Sequence, residues 1–181
     1  MAAEPFVSIV VPTTGRVGYI RGMVESVAQL EYPRDRFELI LLGDAETPLL
    51  QRARELAQAG GIALQVIHAE VAAGEKRNRG VAAAQGEFIA FTDDDTILRE
   101  DWLRAAVRHL ARNPDYAGVG GPNFTPREGL PFAKAVGRIF GSKFLFRFRY
   151  TAGHDEPREV DHNPTCNYIL RREAVASVGF H

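Results

Sequence analysis

Four short apolar runs, each followed by a stretch with helical periodicity or turn signals, restrict this chain to a narrow set of architectures. Phe6 to Val11 is almost continuously apolar and stops at Pro12, the pattern of a strand buried on both faces. Phe37 to Leu42 is a second such run, Ile62, Leu64 and Val66 suggest a third strand, and Glu87 to Thr92 a fourth. Between them, Ile20, Met23, Val24, Val27 and Leu30 repeat at helical spacing. Thr47-Pro48 reads as an N-cap with proline at the first helical position, Gly60-Gly61 closes the helix that follows, and Gly74 to Gln85 reads as a helix ending at Gly86. Alternation of this kind with short connections predicts an α/β fold with a mostly parallel sheet and helices on both faces. In such sheets ligands bind in the crevice at the carboxyl ends of the strands.

The fourth run ends in three adjacent carboxylates, Asp93, Asp94 and Asp95. Acidic residues are poor strand formers, so the cluster marks the strand end. Like charges this close repel unless a positive group sits among them, and a divalent cation with oxygen ligands is the usual answer. The triplet therefore suggests a metal-assisted site for a phosphorylated ligand. The alternative is that these acids cap and complement the helix expected over Trp102 to Arg112.

Length and composition narrow the rest. With 181 residues, 45% hydrophobic and 25% charged, the chain is expected to form one globular domain. A net charge of -1 provides no basic field for nucleic acid. The single cysteine, Cys166, excludes an internal disulfide framework and reads as a small apolar residue rather than a nucleophile. The start, Met-Ala-Ala-Glu-Pro, lacks the features of a signal peptide and no stretch is apolar enough to span a bilayer, so the expected location is cytoplasmic, at the inner face of a membrane if the chain meets one. After Asn113-Pro114 the alternation weakens to a fifth apolar run, Ala117 to Gly121, followed by loop signals; the region after about residue 122 is expected to pack on the same sheet.

If the sheet is parallel, one rim collects Pro12 to Arg16, Gly43-Asp44, the region near Gly74 to Asn78, and Asp93 to Asp95. Lys76, Arg77 and Arg79 cluster at the start of a helix whose amides also favour anions. Acids for a cation would then face bases for a phosphate, the layout that a nucleoside diphosphate with a metal requires. The chain has no phosphate-binding Gly-x-x-x-x-Gly-Lys-Ser/Thr loop, no Gly-x-Gly-x-x-Gly after the first strand and no zinc-type His or Cys pair.

Four segments carry a resemblance. Val-Ser-Ile-Val-Val-Pro-Thr (7 to 13), Gly-Glu-Lys-Arg-Asn-Arg-Gly (74 to 80), Gly-Glu-Phe-Ile-Ala-Phe-Thr-Asp-Asp-Asp (86 to 95) and Asn-Tyr-Ile-Leu-Arg-Arg-Glu-Ala (167 to 174) resemble, in order and over nearly the whole chain, the family 2 glycosyltransferases of the Rossmann-like GT-A fold. The resemblance implies transfer of a sugar from a nucleotide diphosphate sugar to an acceptor hydroxyl, with inversion at the anomeric carbon and Mg²⁺ or Mn²⁺ as cofactor. It implies that Asp93 and Asp95 are the acids of an Asp-x-Asp motif, with Asp95 the direct metal ligand. Pro12, Thr13, Thr14, Arg16 and Asp44 would hold the nucleoside, and Lys76, Arg77, Asn78 and Asp94 would line the same nucleotide-sugar pocket. Residues 1–121 would form the nucleotide-sugar half of a single 1–181 domain and 122–181 the acceptor side, with a glycan or lipid-linked acceptor. Where the family has two adjacent acids after the second strand this chain has Gly43-Asp44-Ala45-Glu46, which leaves the nucleobase open.

The acceptor hydroxyl needs a carboxylate base. The resemblance places it after Arg171 to Val178, and the sequence given stops at Gly179-Phe180-His181; the expectation is nucleotide and metal binding with slow transfer. Asp155, Asp161 and His181 are the nearest substitutes, while His154 and His162 sit in polar, loop-like sequence. Arg171 and Arg172 could pair with phosphate or with surface acids. Between Leu130 and Gly153 five basic residues (Lys134, Arg138, Lys143, Arg147, Arg149) and five of the chain's eleven phenylalanines occur without an acid. That combination suits either an anionic membrane surface, contacted peripherally through 130–150, or a helix and strand covering the sheet. Two rival functions are a sugar-phosphate nucleotidyltransferase and a sugar-nucleotide-binding module without chemistry.

Overall fold

The computed structural model describes residues 4–14, 17–43, 48–124, 131–140, 159–160 and 163–180. The described elements run β1 (Val7–Pro12), α1 (Val17–Val27), β2 (Phe37–Gly43), α2 (Pro48–Ala59), β3 (Ala63–His68), α3 (Ala73–Ala83), β4 (Phe88–Thr92), α4 (Trp102–Arg112), β5 (Gly118–Gly120), α5 (Pro131–Phe140), β6 (Asn167–Arg171) and α6 (Arg172–Ala176). They form a six-stranded sheet in the order β3-β2-β1-β4-β6-β5. β1 pairs in parallel with β2 and β4, and β2 with β3, whereas β6 is antiparallel to both β4 and β5.

The period of two along each strand divides the core into two layers. Val7, Ile9 and Val11 of β1, Phe37, Leu39 and Leu41 of β2, and Phe88 and Ala90 of β4 pack with α1, α2 and α4. Val10, Ile40, Leu42, Ile89 and Phe91 point the other way, toward α3 and α6. Helices therefore cover both faces, as the uninterrupted apolar runs require. On α4, Leu103, Val107 and Leu110 recur at helical spacing and are buried, each stabilising the packed helix by roughly 1.5–3 kcal/mol. α2 ends as its sequence predicts: Gly61 adopts φ 63, its N–H reaches the Gln58 carbonyl (3.1 Å), and the Ile62 N–H reaches Ala57 (2.8 Å), which turns the chain into β3.

The strand Asn167–Arg171, which no strand signal in the sequence marks, inserts between β4 and β5. Among the described residues, Arg171 and Arg172 donate to backbone carbonyls and not to surface acids. Arg171 donates to the carbonyls of Leu110 (2.9 Å) and Tyr116 (3.0 Å) and lies over the Phe88 ring, and Arg172 donates to the Ala84 carbonyl (3.3 Å). Leu110 and Ala84 are at helix carboxyl ends, where a cation satisfies carbonyls left without intrahelical partners. These arginines hold the antiparallel strand onto the rest of the domain.

At the other end of the sheet, Glu38 is buried yet satisfied: its Oε1 accepts from Ser8 Oγ (2.6 Å) and from the Gln85 N–H (2.9 Å), and Ser8 Oγ accepts from the Gly86 N–H (2.8 Å). This network fixes where β4 starts relative to β1. The site lies at the opposite, carboxyl ends of the same strands.

α3 lies close on the sheet because Gly80 faces it. A Cβ there would stand 2.4 Å from Val10 Cγ1 and 3.1 Å from Leu42 Cδ1. Gly80→Ala would normally strengthen a helix interior by about 1 kcal/mol. Here overpacking against core side chains costs about 1–3 kcal/mol, so the net effect expected is a lower urea midpoint. A midpoint above that of the wild-type chain would show that α3 is not held at this contact.

Candidate active site

The strand register continues past the strands and builds the rim. Val7 to Val10 pair with Phe88 to Phe91 at a constant offset, and the same offset of 81 sets Thr13 against Asp94. Thr13 Oγ1 donates to Asp94 Oδ2 at 2.7 Å, and the Thr14 N–H donates to the same oxygen at 3.2 Å. On the other side, pairing of Pro12 with Leu42 sets Thr13 beside Gly43; a Cβ on Gly43 would fall 2.6 Å from Thr13 Cγ2. Lys76, on the first turn of α3, donates from Nζ to the Thr13 carbonyl at 2.8 Å. Thr13, Asp94 and Lys76 are buried, and Thr14 is exposed.

The triplet thus divides by burial. Asp94 turns into the protein, while Asp93 is half-buried and Asp95 exposed. Arg77 Nη2 donates to Asp93 Oδ1 at 2.9 Å, and the Arg77 side chain is largely enclosed. Burial pushes the Asp93 carboxyl above the usual range; Arg77 works against this, and the Asp95 and Asp94 charges add to it. The structure does not use these acids as helix caps, because the residue preceding α4 is Asp101 and it makes no side-chain capping bond.

Among the described residues no three His, Cys, Asp or Glu side chains gather into a metal site. Asp93 and Asp95 supply two hard carboxylates, a donor set that fits Mg²⁺ or Mn²⁺ when ligand phosphates and water complete the shell. Arg77 Nε is buried without a partner, which leaves the guanidinium a donor to offer a ligand oxygen.

A cleft of about 710 Å³ opens from Asp93 and Asp95 between α4 and the β5–β6 edge. Trp102, Ala106, Val119 and Phe124 supply apolar walls, and Asn123, Cys166 and Asn167 polar ones. Asparagines organise this wall: Asn167 Oδ1 accepts from the Trp102 indole N–H (2.8 Å), its Nδ2 donates to the Pro122 carbonyl (3.1 Å), and Asn163 Nδ2 donates to the Asn167 carbonyl (3.0 Å). Gly120 and Gly121 make room for Asn163 and Asn167, since a Cβ at either would meet those side chains. Burial pushes the Cys166 thiol up, with Asp93 adding to the shift, so it is poorly suited to act as a nucleophile.

The rim therefore brings together Pro12, Thr13, Thr14, Lys76, Arg77, Asp93, Asp94 and Asp95. Asn78 lies on α3 and exchanges two hydrogen bonds with the Phe180 backbone, Nδ2 to O at 2.9 Å and N to Oδ1 at 2.8 Å. Arg79 pairs with Glu75 on the surface. Arg16, Asp44, Asp155, Asp161, His181, His154 and His162 lie outside the described residues. Of the basic aromatic segment, Phe132 on α5 is 80% exposed, while Lys143, Arg147 and Arg149 also lie outside them. Sequence reasoning missed the Trp102–Asn167 wall; the one tryptophan, a few residues after the acids, was the available signal.

A profile of the family described as Glycosyl transferase family 2 matches residues 8–179. The chain is 28% identical over 106 residues to poly(ribitol-phosphate) beta-N-acetylglucosaminyltransferase TarS of Staphylococcus aureus, covering 57% of this chain and 18% of that protein. Among solved structures, the mannosyltransferase PcManGT of Pyrobaculum calidifontis in complex with GDP-Man and Mn²⁺ superposes with a TM-score of 0.70 at 21% identity, over 99% of this chain and 48% of that one. S. aureus TarS 1-349 with UDP-GlcNAc gives a TM-score of 0.64 at 22% identity, over 92% and 45%. The chain thus spans about a fifth to about half of these relatives, and they share the GT-A architecture with it.

Arg77 offsets the effect of burial on Asp93. Replacing it with Gln should raise the Asp93 pKa further, because burial and the two neighbouring charges would then act without the guanidinium. Carboxyl-carbon NMR titration of the ligand-free protein reads this directly; an unchanged or lower Asp93 pKa in Arg77→Gln would show that the pair does not govern that carboxyl.

Proposed function

The chain belongs to glycosyl transferase family 2, and from that premise we propose that it transfers a sugar from a nucleoside diphosphate sugar to an acceptor hydroxyl, with inversion at the anomeric carbon. The observation that carries this reading is the rim itself, where the outward carboxylates Asp93 and Asp95, Thr14 and the Arg77 guanidinium converge at the strand ends beside a cleft. Two relatives in complex with UDP-GlcNAc and GDP-Man support a nucleotide-sugar donor. The name of TarS, which modifies a poly(ribitol-phosphate), supports a role in surface-polysaccharide or lipid-linked glycan synthesis.

Asp95 and Asp93 would hold Mg²⁺ or Mn²⁺, with Asp95 as the direct ligand. When bound, the cation supplies charge neutralisation of the departing diphosphate, so that no proton donor is needed. Pro12 and Thr14, with Arg16 and Asp44, form the nucleoside side of the pocket, and Arg77 places a donor beside Asp93 where a ligand oxygen can accept from it. The cleft walled by Trp102 and Asn167 receives the sugar and the acceptor, with residues 1–121 as the donor half of the domain and 122–181 as the acceptor half. Removal of the acceptor proton is the base's task and is worth about 10² to 10⁴ in rate; Asp155, Asp161 and His181 are the first residues to test for it.

Asp95→Ala should weaken Mn²⁺-dependent binding of a nucleoside diphosphate by at least about tenfold, since one charged oxygen is lost from a site with few protein ligands. The fold should survive, because Asp95 is exposed. Calorimetry with and without Mn²⁺ measures this. Metal dependence equal to that of the wild-type chain would remove Asp95 from the site.

A further inference from the structure

We propose that Asp94 and Lys76 are positioning residues that hold the loop after β1 in its donor-accepting shape, and that neither touches the donor. The inference rests on the nucleotide-sugar reading above and assigns these two charges a different part in it. Every backbone and side-chain polar atom of Thr13 is engaged: its N–H donates to the Leu42 carbonyl (2.8 Å), its Oγ1 to Asp94 (2.7 Å), and its carbonyl accepts from Lys76 (2.8 Å). Its methyl group occupies the space that Gly43 leaves open. A carboxylate and an ammonium therefore grip one threonine from opposite ends, and Asp94 also fixes the next residue through the Thr14 N–H.

Burial decides against a direct role. Asp94 is 3% exposed and Lys76 5%, whereas Asp93, Asp95 and Thr14 face the rim. Charges this enclosed persist only when hydrogen-bonded, and a satisfied buried polar network specifies one geometry where apolar packing would admit several. The geometry specified here is the spacing between Thr14 on one loop and the Asp93 and Asp95 carboxylates on the next. A rim fixed before the ligand arrives spares the ordering cost at binding. The middle acid of the triplet is then needed for donor affinity through the loop alone.

Calorimetric titration with a panel of nucleoside diphosphates (UDP, GDP, CDP, ADP and dTDP) and Mn²⁺, combined with amide exchange of Thr14 in the ligand-free protein, tests this. Thr13→Val, which removes the hydroxyl at nearly constant volume, and Asp94→Ala should each weaken the preferred nucleotide about tenfold and speed Thr14 exchange. Thr13→Ser and Asp94→Asn, which keep a donor or an acceptor in place, should stay within about threefold of wild type. The double variant Thr13→Val/Asp94→Ala should lose no more than Asp94→Ala alone, because both break one interaction. If Asp94→Ala does not fold, Thr13→Val against Thr13→Ser carries the comparison. Wild-type affinity in Thr13→Val, additive losses in the double variant, or an Asp94→Asn loss as large as that of Asp94→Ala would overturn the proposal while leaving donor binding intact. A wild-type chain that binds none of the nucleotides would overturn the donor reading and this one with it.

Discussion

The parallel register of β1 between β2 and β4 is the constraint on which the site depends. One offset sets Thr13 against Asp94 and the other sets it beside Gly43, so the rim continues two strand ladders beyond their last paired residues. A shift of one residue in the β1–β4 ladder would turn Asp94 outward and the core residues of β4 to the wrong face, and one in the β1–β2 ladder would do the same to the core residues of β2. The buried Ser8–Glu38–Gly86 network at the opposite end of the same strands keeps that shift from occurring. Rim geometry at one end of the sheet and polar satisfaction at the other are two consequences of one pairing.

Electrostatics at the rim follow from how three like charges share a small space. Asp94 is removed from the ligand side by turning inward to two hydrogen bonds, and Asp93 is half-enclosed with its proton affinity raised by burial. Arg77 relieves part of that cost. What remains exposed is Asp95, beside a carboxyl that would gain from a further positive charge. Such a rim is suited to a divalent cation that arrives with its own anionic ligand, rather than to a protein-only metal cage.

Much of the fold was legible because its signals are strong and local. Continuous apolar runs marked β1, β2 and β4 as strands buried on both faces, the alternation of Ile62, Leu64 and Val66 marked the more exposed edge strand β3, Gly60-Gly61 marked the end of α2, and the apolar repeat from Trp102 to Arg112 gave α4 its bounds. β6 was not legible as a strand: Asn167–Arg171 is short, and its polar ends carry hydrogen bonds to Trp102, Leu110 and Tyr116 that no periodicity reveals. At the rim, residue types announced the chemistry, but burial sorted the roles. Asp94 and Lys76 look like ligand groups in the sequence and lie inside the protein, where both bond to Thr13, 81 and 63 residues away from them. Asn78 likewise spends its amide on the backbone of Phe180.

Membership of glycosyl transferase family 2 and the geometry of the rim meet in one claim: a nucleoside diphosphate and a divalent cation bind together at the carboxyl ends of β1 and β4. Paramagnetic broadening by Mn²⁺ in the isotope-labelled chain, recorded with and without the preferred nucleoside diphosphate, locates the cation directly. With nucleotide present the amides of residues 93–96 should broaden first, followed by those of Thr14 and Arg77, and the effect should weaken when the nucleotide is omitted. Broadening centred on Glu87 and Glu173 at the α3–α6 cleft, or broadening indifferent to the nucleotide, would contradict that claim.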